Sequence, residues 1–89
     1  MTERNVTITN KYGIHARPAA EIVKTAAKFK SEITLVRDDV EVNGKSIMGV
    51  LMLVASKGTS VTIRAKGERA GEVVAAISAL INDKFGEGK

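Results

Sequence analysis

The chain has 89 residues, no cysteine, one histidine and a formal net charge of +4, from nine lysines and five arginines against ten acidic residues. That length suits a single domain spanning 1–89, able to bury about 60–65% of its unfolded surface, and the missing cysteines exclude disulfide and thiolate chemistry. A lone histidine argues against a zinc or iron site and no apolar run approaches the ~20 residues that span a bilayer, so the expectation is a cytoplasmic protein without membrane insertion, metal or cofactor.

Along the chain, Val6, Thr7, Ile8 and Thr9 alternate as a half-buried strand. Pro18 sets the next boundary, because a residue with no N–H and a restricted φ fits the first turn of a helix and breaks a deeper one. A helix therefore opens at or just after His15, and Ala19, Ile22, Val23, Ala26 and Phe29 give it an apolar face to about Phe29. Ile33 and Leu35 follow as a second strand, Asp38 and Asp39 make a tight turn, and Val40 and Val42 return as the other half of a hairpin. Gly44 ends that strand, and Ser46 can cap a short helix from Ile47 to about Leu53. A loop from Ala55 to Ser60 leads to a fourth strand through Val61, Ile63 and Ala65. After Gly67 a last helix starts near Ala70 or Gly71, with Val73, Val74, Ile77, Leu80, Ile81 and Phe85 on its apolar face, and the tail 86–89 frays.

Four alternating strands have one buried face each, so the three helices belong on one side of an antiparallel sheet. The expected class is α+β: an open-faced two-layer sandwich in the order strand, helix, strand, strand, helix, strand, helix.

The octapeptide Gly13, Ile14, His15, Ala16, Arg17, Pro18, Ala19, Ala20 carries the chemistry. A helix N-terminus presents unpaired amides and a partial positive charge, which together form an anion site. A neutral imidazole placed there carries the lone pair a nucleophile needs. A phosphoryl group on His15, at Nδ1 as the nitrogen nearer the backbone, would sit among first-turn amides such as that of Ala16, with the Arg17 guanidinium as counter-ion. Taken alone, a histidine before a helix is more often an N-cap or a surface residue.

The octapeptide resembles the active-site loop of HPr, the histidine-containing phosphocarrier family of the bacterial sugar phosphotransferase system, and the resemblance covers essentially the full chain. A second segment, Asn43 to Leu53, is similar to the family's and places Ser46 where many members carry a regulatory serine. Relatives that have lost the carrier role lack the histidine present here. The resemblance implies a phosphocarrier with no independent turnover, in which His15 takes phosphate derived from phosphoenolpyruvate from enzyme I and passes it to enzyme IIA proteins for sugar uptake. It also implies that Arg17, Ala20, Lys24, Ile47, Met48 and Leu51 meet those partners. A kinase/phosphorylase acting on Ser46, a catabolite-control regulator and a monomeric state belong to the same implication. Some members carry further basic residues where this chain has Ala27 and Gly49.

Three competing readings are weaker. Gly44, Lys45 and Ser46 imitate the end of a P-loop, but that motif needs a glycine five positions earlier, where Asp39 stands. A nucleic-acid module is disfavoured by having only Tyr12, Phe29 and Phe85 as aromatics and no G-x-x-G loop. A purely regulatory adaptor controlled at Ser46, with His15 idle, is separated from a carrier by incubation with enzyme I and labelled phosphoenolpyruvate.

Overall fold

The computed structural model describes residues 1–86. In chain order its elements are β1 (Thr2–Thr7), α1 (Ala16–Ala26), β2 (Glu32–Arg37), β3 (Val40–Asn43), α2 (Ile47–Met52), β4 (Ser60–Lys66) and α3 (Ala70–Asn82), with a 3-10 turn at Lys84–Gly86. The sheet runs β1-β4-β2-β3, and every neighbouring pair is antiparallel. β1 and β2 are consequently parallel, with a one-strand gap that β4 fills from the far end of the sequence.

The alternation read from the sequence sorts the two faces of the sheet. Val6, Ile33, Leu35, Val61, Ile63 and Ala65 are buried under the helices. On the other face Arg64 bonds Glu3 at 2.7 Å and reaches Glu41 at 3.5 Å, while Asn5 bonds Thr62 at 3.1 Å. This polar ladder explains why β1 begins at Thr2 instead of Val6: Glu3 and Arg4 interrupt the apolar alternation, yet Glu3 lies directly opposite Arg64 in the register. Ile8 has left the strand, although its amide still bonds the Thr59 carbonyl at 2.9 Å.

Two helix ends also depart from expectation. α1 stops at Ala26, and Phe29 sits one tight turn later, its amide on the Ala26 carbonyl at 3.1 Å. There the half-buried ring takes the Arg69 guanidinium 4.7 Å above its centroid, and the Phe29 carbonyl accepts from Lys45 Nζ at 2.7 Å. Phe29 thus joins the ends of three elements instead of extending one. Phe85 is not on the face of α3; the helix closes at Asn82, and left-handed φ values at Lys84 and Phe85 turn the ring back into the core, where it is 4% exposed. Gly86 bonds Asp83 within that turn, and the rest of the tail, 87–89, lies outside the described residues.

The Asp38–Asp39 turn is as read, two residues between the paired Arg37 and Val40, with Asp38 at a φ of 52°. Gly44 does more than end β3. Its amide continues the ladder to the Ile33 carbonyl at 2.8 Å, and an added Cβ would lie 2.6 Å from the Ile33 side chain. Among the described residues no helix is long and apolar enough to cross a membrane.

Leu35 is fully buried at the centre of the sheet, between Val42 of β3 and Ile63 of β4. Leu35→Ala should cost about 2–5 kcal/mol. Urea unfolding checks this through a lower midpoint at unchanged slope.

Candidate functional site

His15 occupies the N-cap position of α1 in an extended conformation, but its ring makes no capping hydrogen bond. The first intrahelical bond is Ala19 N–H to the His15 carbonyl at 2.9 Å. Ahead of it stand the amides of Ala16 and Arg17 and the ring nitrogen of Pro18, which has no hydrogen. The helix mouth therefore offers two amides beside an exposed imidazole, and no acidic side chain of the first turn competes for its positive end. Pro18 and Ala19 are buried, which anchors the turn from beneath, while Ala16, Arg17 and Ala20 face solvent. Among the described residues the Arg17 guanidinium has neither a hydrogen bond nor an ion pair, so it is available to an incoming anion. Tyr12 stands edge-on to the His15 ring at 6.2 Å, with the Lys11 ammonium 5.3 Å from its own centroid.

What holds this loop is its seam with the segment after α2. Ile14 N–H bonds the Ala55 carbonyl at 2.8 Å, and Ile8 pairs with Thr59 and Gly58. Gly13, at a φ of +66°, packs so closely that a Cβ would fall 2.4 Å from the Ala55 oxygen. Asn10, fully buried, closes the turn from inside, its Nδ2 donating to the Gly13 carbonyl at 2.7 Å. Sequence reasoning missed Asn10; an asparagine three residues before a glycine is the available signal of such a turn.

The partner side of the seam carries strain. α2 is followed by its C-cap residue Leu53, whose carbonyl accepts from Arg37 Nε at 2.6 Å. The next residue, Val54, has a φ of +51°. That is the left-handed position after a helix which glycine commonly fills, and a β-branched side chain there costs about 1–3 kcal/mol. The valine side chain returns nothing to the core, being 70% exposed.

At the other end of α2 the Ser46 hydroxyl accepts from Gly49 N–H at 3.1 Å, the cap expected of it. Val50 and Leu53 are buried, and Ile47 and Met48 are exposed. Leu51 differs: it is half-buried and packs against the core. Met52, Val54 and Tyr12 are exposed apolar residues as well, each by more than half and none singled out by the sequence. Met48 and Met52 share a helix face through their four-residue spacing, a signal that was available. Lys24 is exposed in the last turn of α1, nine residues beyond His15 and so roughly 13 Å along the axis. It belongs to the rim of this surface and not to the helix mouth.

A family profile described as "PTS HPr component phosphorylation site" matches residues 2–83. The chain is 44% identical to the phosphocarrier protein HPr of Neisseria meningitidis across the full length of both. It is 46% identical to that of Xylella fastidiosa over 98% of each. The crystal structure of HPr-C-His from Thermoanaerobacter tengcongensis superposes with a TM-score of 0.94 at 47% identity, covering 98% of both chains.

Because Gly13 has both a left-handed φ and no room for a Cβ, Gly13→Ala should destabilise by at least about 1–3 kcal/mol. Hydrogen exchange should register it first at the Ile14 amide, whose bond to Ala55 is nearest the clash.

Proposed function

Because the chain belongs to the HPr family of phosphotransferase-system phosphocarriers, we propose that His15 accepts a phosphoryl group from phosphorylated enzyme I, which draws on phosphoenolpyruvate, and yields it to an enzyme IIA protein in sugar uptake. The observation that carries this reading is the exposed, non-capping imidazole beside two first-turn amides. As the donor's bond to phosphorus breaks, its electron pair stays with the donor and the Nδ1 lone pair of His15 forms the new P–N bond. The amides of Ala16 and Arg17 and the Arg17 guanidinium meet the phosphoryl oxygens. The second transfer reverses these roles toward the acceptor. Positioning and charge stabilisation do all of the work, which suits a protein with no turnover of its own.

Docking falls to the surface around the helix mouth. Ala20 is small and exposed, so a partner can approach α1 closely, while Arg17 and Lys24 offer charge and Ile47, Met48 and the exposed part of Leu51 offer apolar area. The carrier works as a monomer in the cytoplasm. Ser46 serves as the regulatory site: phosphorylation would place roughly −1.5 to −2 charges beside that surface, under a dedicated kinase/phosphorylase and read by a catabolite-control regulator.

His15→Ala should abolish labelling by enzyme I and labelled phosphoenolpyruvate, and the wild-type label should be acid-labile and base-stable. An undiminished rate in that variant sinks the reading. Arg17→Ala should slow both transfers with its unfolding midpoint nearly unchanged, and Arg17→Lys should recover only part, since an ammonium lacks the planar fork.

Ser46 separates capping from regulation. Ser46→Ala should lose the bond to Gly49 and cost about 0.5–2 kcal/mol with transfer intact. Ser46→Asp should keep the cap and slow transfer from enzyme I. Midpoints and rates measured on the same preparations decide it.

A further inference from the structure

Arg37 breaks the pattern of its strand. Ile33 and Leu35 are buried under the helices, and by the same alternation Arg37 takes the next inward position of β2, where an apolar residue is the rule. Its side chain is 27% exposed. Nη1 reaches outward to the Asp38 carboxylate at 3.3 Å, while Nε turns inward and donates to the Leu53 carbonyl at 2.6 Å. An ion pair as exposed as the first adds little, so the inward bond is the one that fixes this side chain.

That bond falls on the peptide that most needs holding. The last carbonyls of a helix lack intrahelical partners, and α2 has no basic residue in its own last turn, so the cation that meets its negative end comes from β2. The same peptide joins Leu53 to Val54, and its orientation sets the Val54 φ of +51°. A β-branched residue keeps a left-handed φ only where its surroundings over-determine it. Here the peptide's oxygen is held by Arg37, and its nitrogen, that of Val54, donates to the Leu51 carbonyl at 3.1 Å. One residue on, the Ala55 carbonyl receives Ile14 N–H at 2.8 Å, and His15 follows Ile14 in the chain.

On this basis, and resting on the phosphocarrier reading above, we propose that Arg37 is a positioning residue for phosphoryl transfer at His15. By holding the Leu53 carbonyl it keeps the turn at Val54 in the conformation that presents the Ala55 carbonyl to Ile14, and so it aims the mouth of α1. Its action passes through backbone bonds, without contact to the phosphoryl group.

The bonding atom decides the test. Glutamine carries its amide nitrogen as far along the side chain as arginine carries Nε, so Arg37→Gln keeps the donor and removes the charge. Arg37→Lys keeps the charge and displaces the donor, and Arg37→Met keeps the stem and loses both. With enzyme I and labelled phosphoenolpyruvate as donor and this chain as the varied substrate, Arg37→Met should lower kcat about tenfold with KM little changed. It should also speed hydrogen exchange at the Ile14 amide and lower the melting temperature by roughly 4–8 °C. Arg37→Gln should recover most of kcat, and Arg37→Lys less. In a Val54→Gly background the left-handed turn needs no holding, so there Arg37→Met should lower kcat only about twofold, the non-additivity of two changes on one path. An unchanged kcat in Arg37→Met, an equal loss in the Val54→Gly background, or better recovery in Arg37→Lys than in Arg37→Gln overturns the proposal. If Arg37→Met does not fold, the order of Arg37→Gln and Arg37→Lys decides. Failure of the wild-type chain to take label at all would instead overturn the phosphocarrier reading.

Discussion

The close approach of Gly13 to the Ala55 carbonyl is the contact on which the arrangement of the site depends. It brings together a loop that follows β1 and a loop that precedes β4, strands neighbouring in the sheet but more than fifty residues apart in sequence. Only a residue without a Cβ can make it, and the Ile14 amide bond and the buried Asn10 turn are built on it. The orientation of the His15 backbone, and with it the direction in which the mouth of α1 opens, follows from this seam. A site assembled on strand ends and locked by backbone bonds holds its geometry while its side chains remain exposed, as transfer between two proteins requires.

The two helix mouths show how one local device serves opposite ends. At α2 the Ser46 hydroxyl satisfies the Gly49 amide, and a glycine there keeps the approach open. At α1 the N-cap side chain makes no such bond, Pro18 removes one donor altogether, and two amides stay available. A helix end that declines its own cap sacrifices about 1 kcal/mol of stability and leaves a positive site for an outside group. Burial of Pro18 and Ala19 under the same turn offsets that loss by fixing the turn from the core side.

Strain follows the same logic. Left-handed residues other than glycine occur at Asp38, Val54, Arg69, Lys84 and Phe85. Most have a local reason. Asp38 makes a hairpin turn, Arg69 lies over Phe29 and pairs with Glu72 at 2.6 Å, and the Lys84–Phe85 reversal buries an aromatic ring. Val54 alone among these five combines a β-branched side chain with no compensating contact in the core, and it sits beside the seam.

The sequence by itself determined the element order, the faces of the strands and helices, and the two mouths. Periodicity reports which side of an element is buried, and Pro18 and Ser46 mark helix starts through properties of a single residue. Hence His15, Arg17 and the Ser46 cap were legible. Tertiary structure decided what depends on partners distant in the chain. The charged start of β1 became strand because Arg64 lies opposite Glu3; Phe29 and Phe85 left their helical faces because Arg69, Lys45 and the core claimed them; and the strand order required β4 to fill the gap left between β1 and β2. Tyr12, Met52 and Val54 reached the surface for the same reason. Whether an apolar residue at the end of a short helix faces the core or solvent is set by the element it lands against, and that information is not carried by its neighbours in sequence.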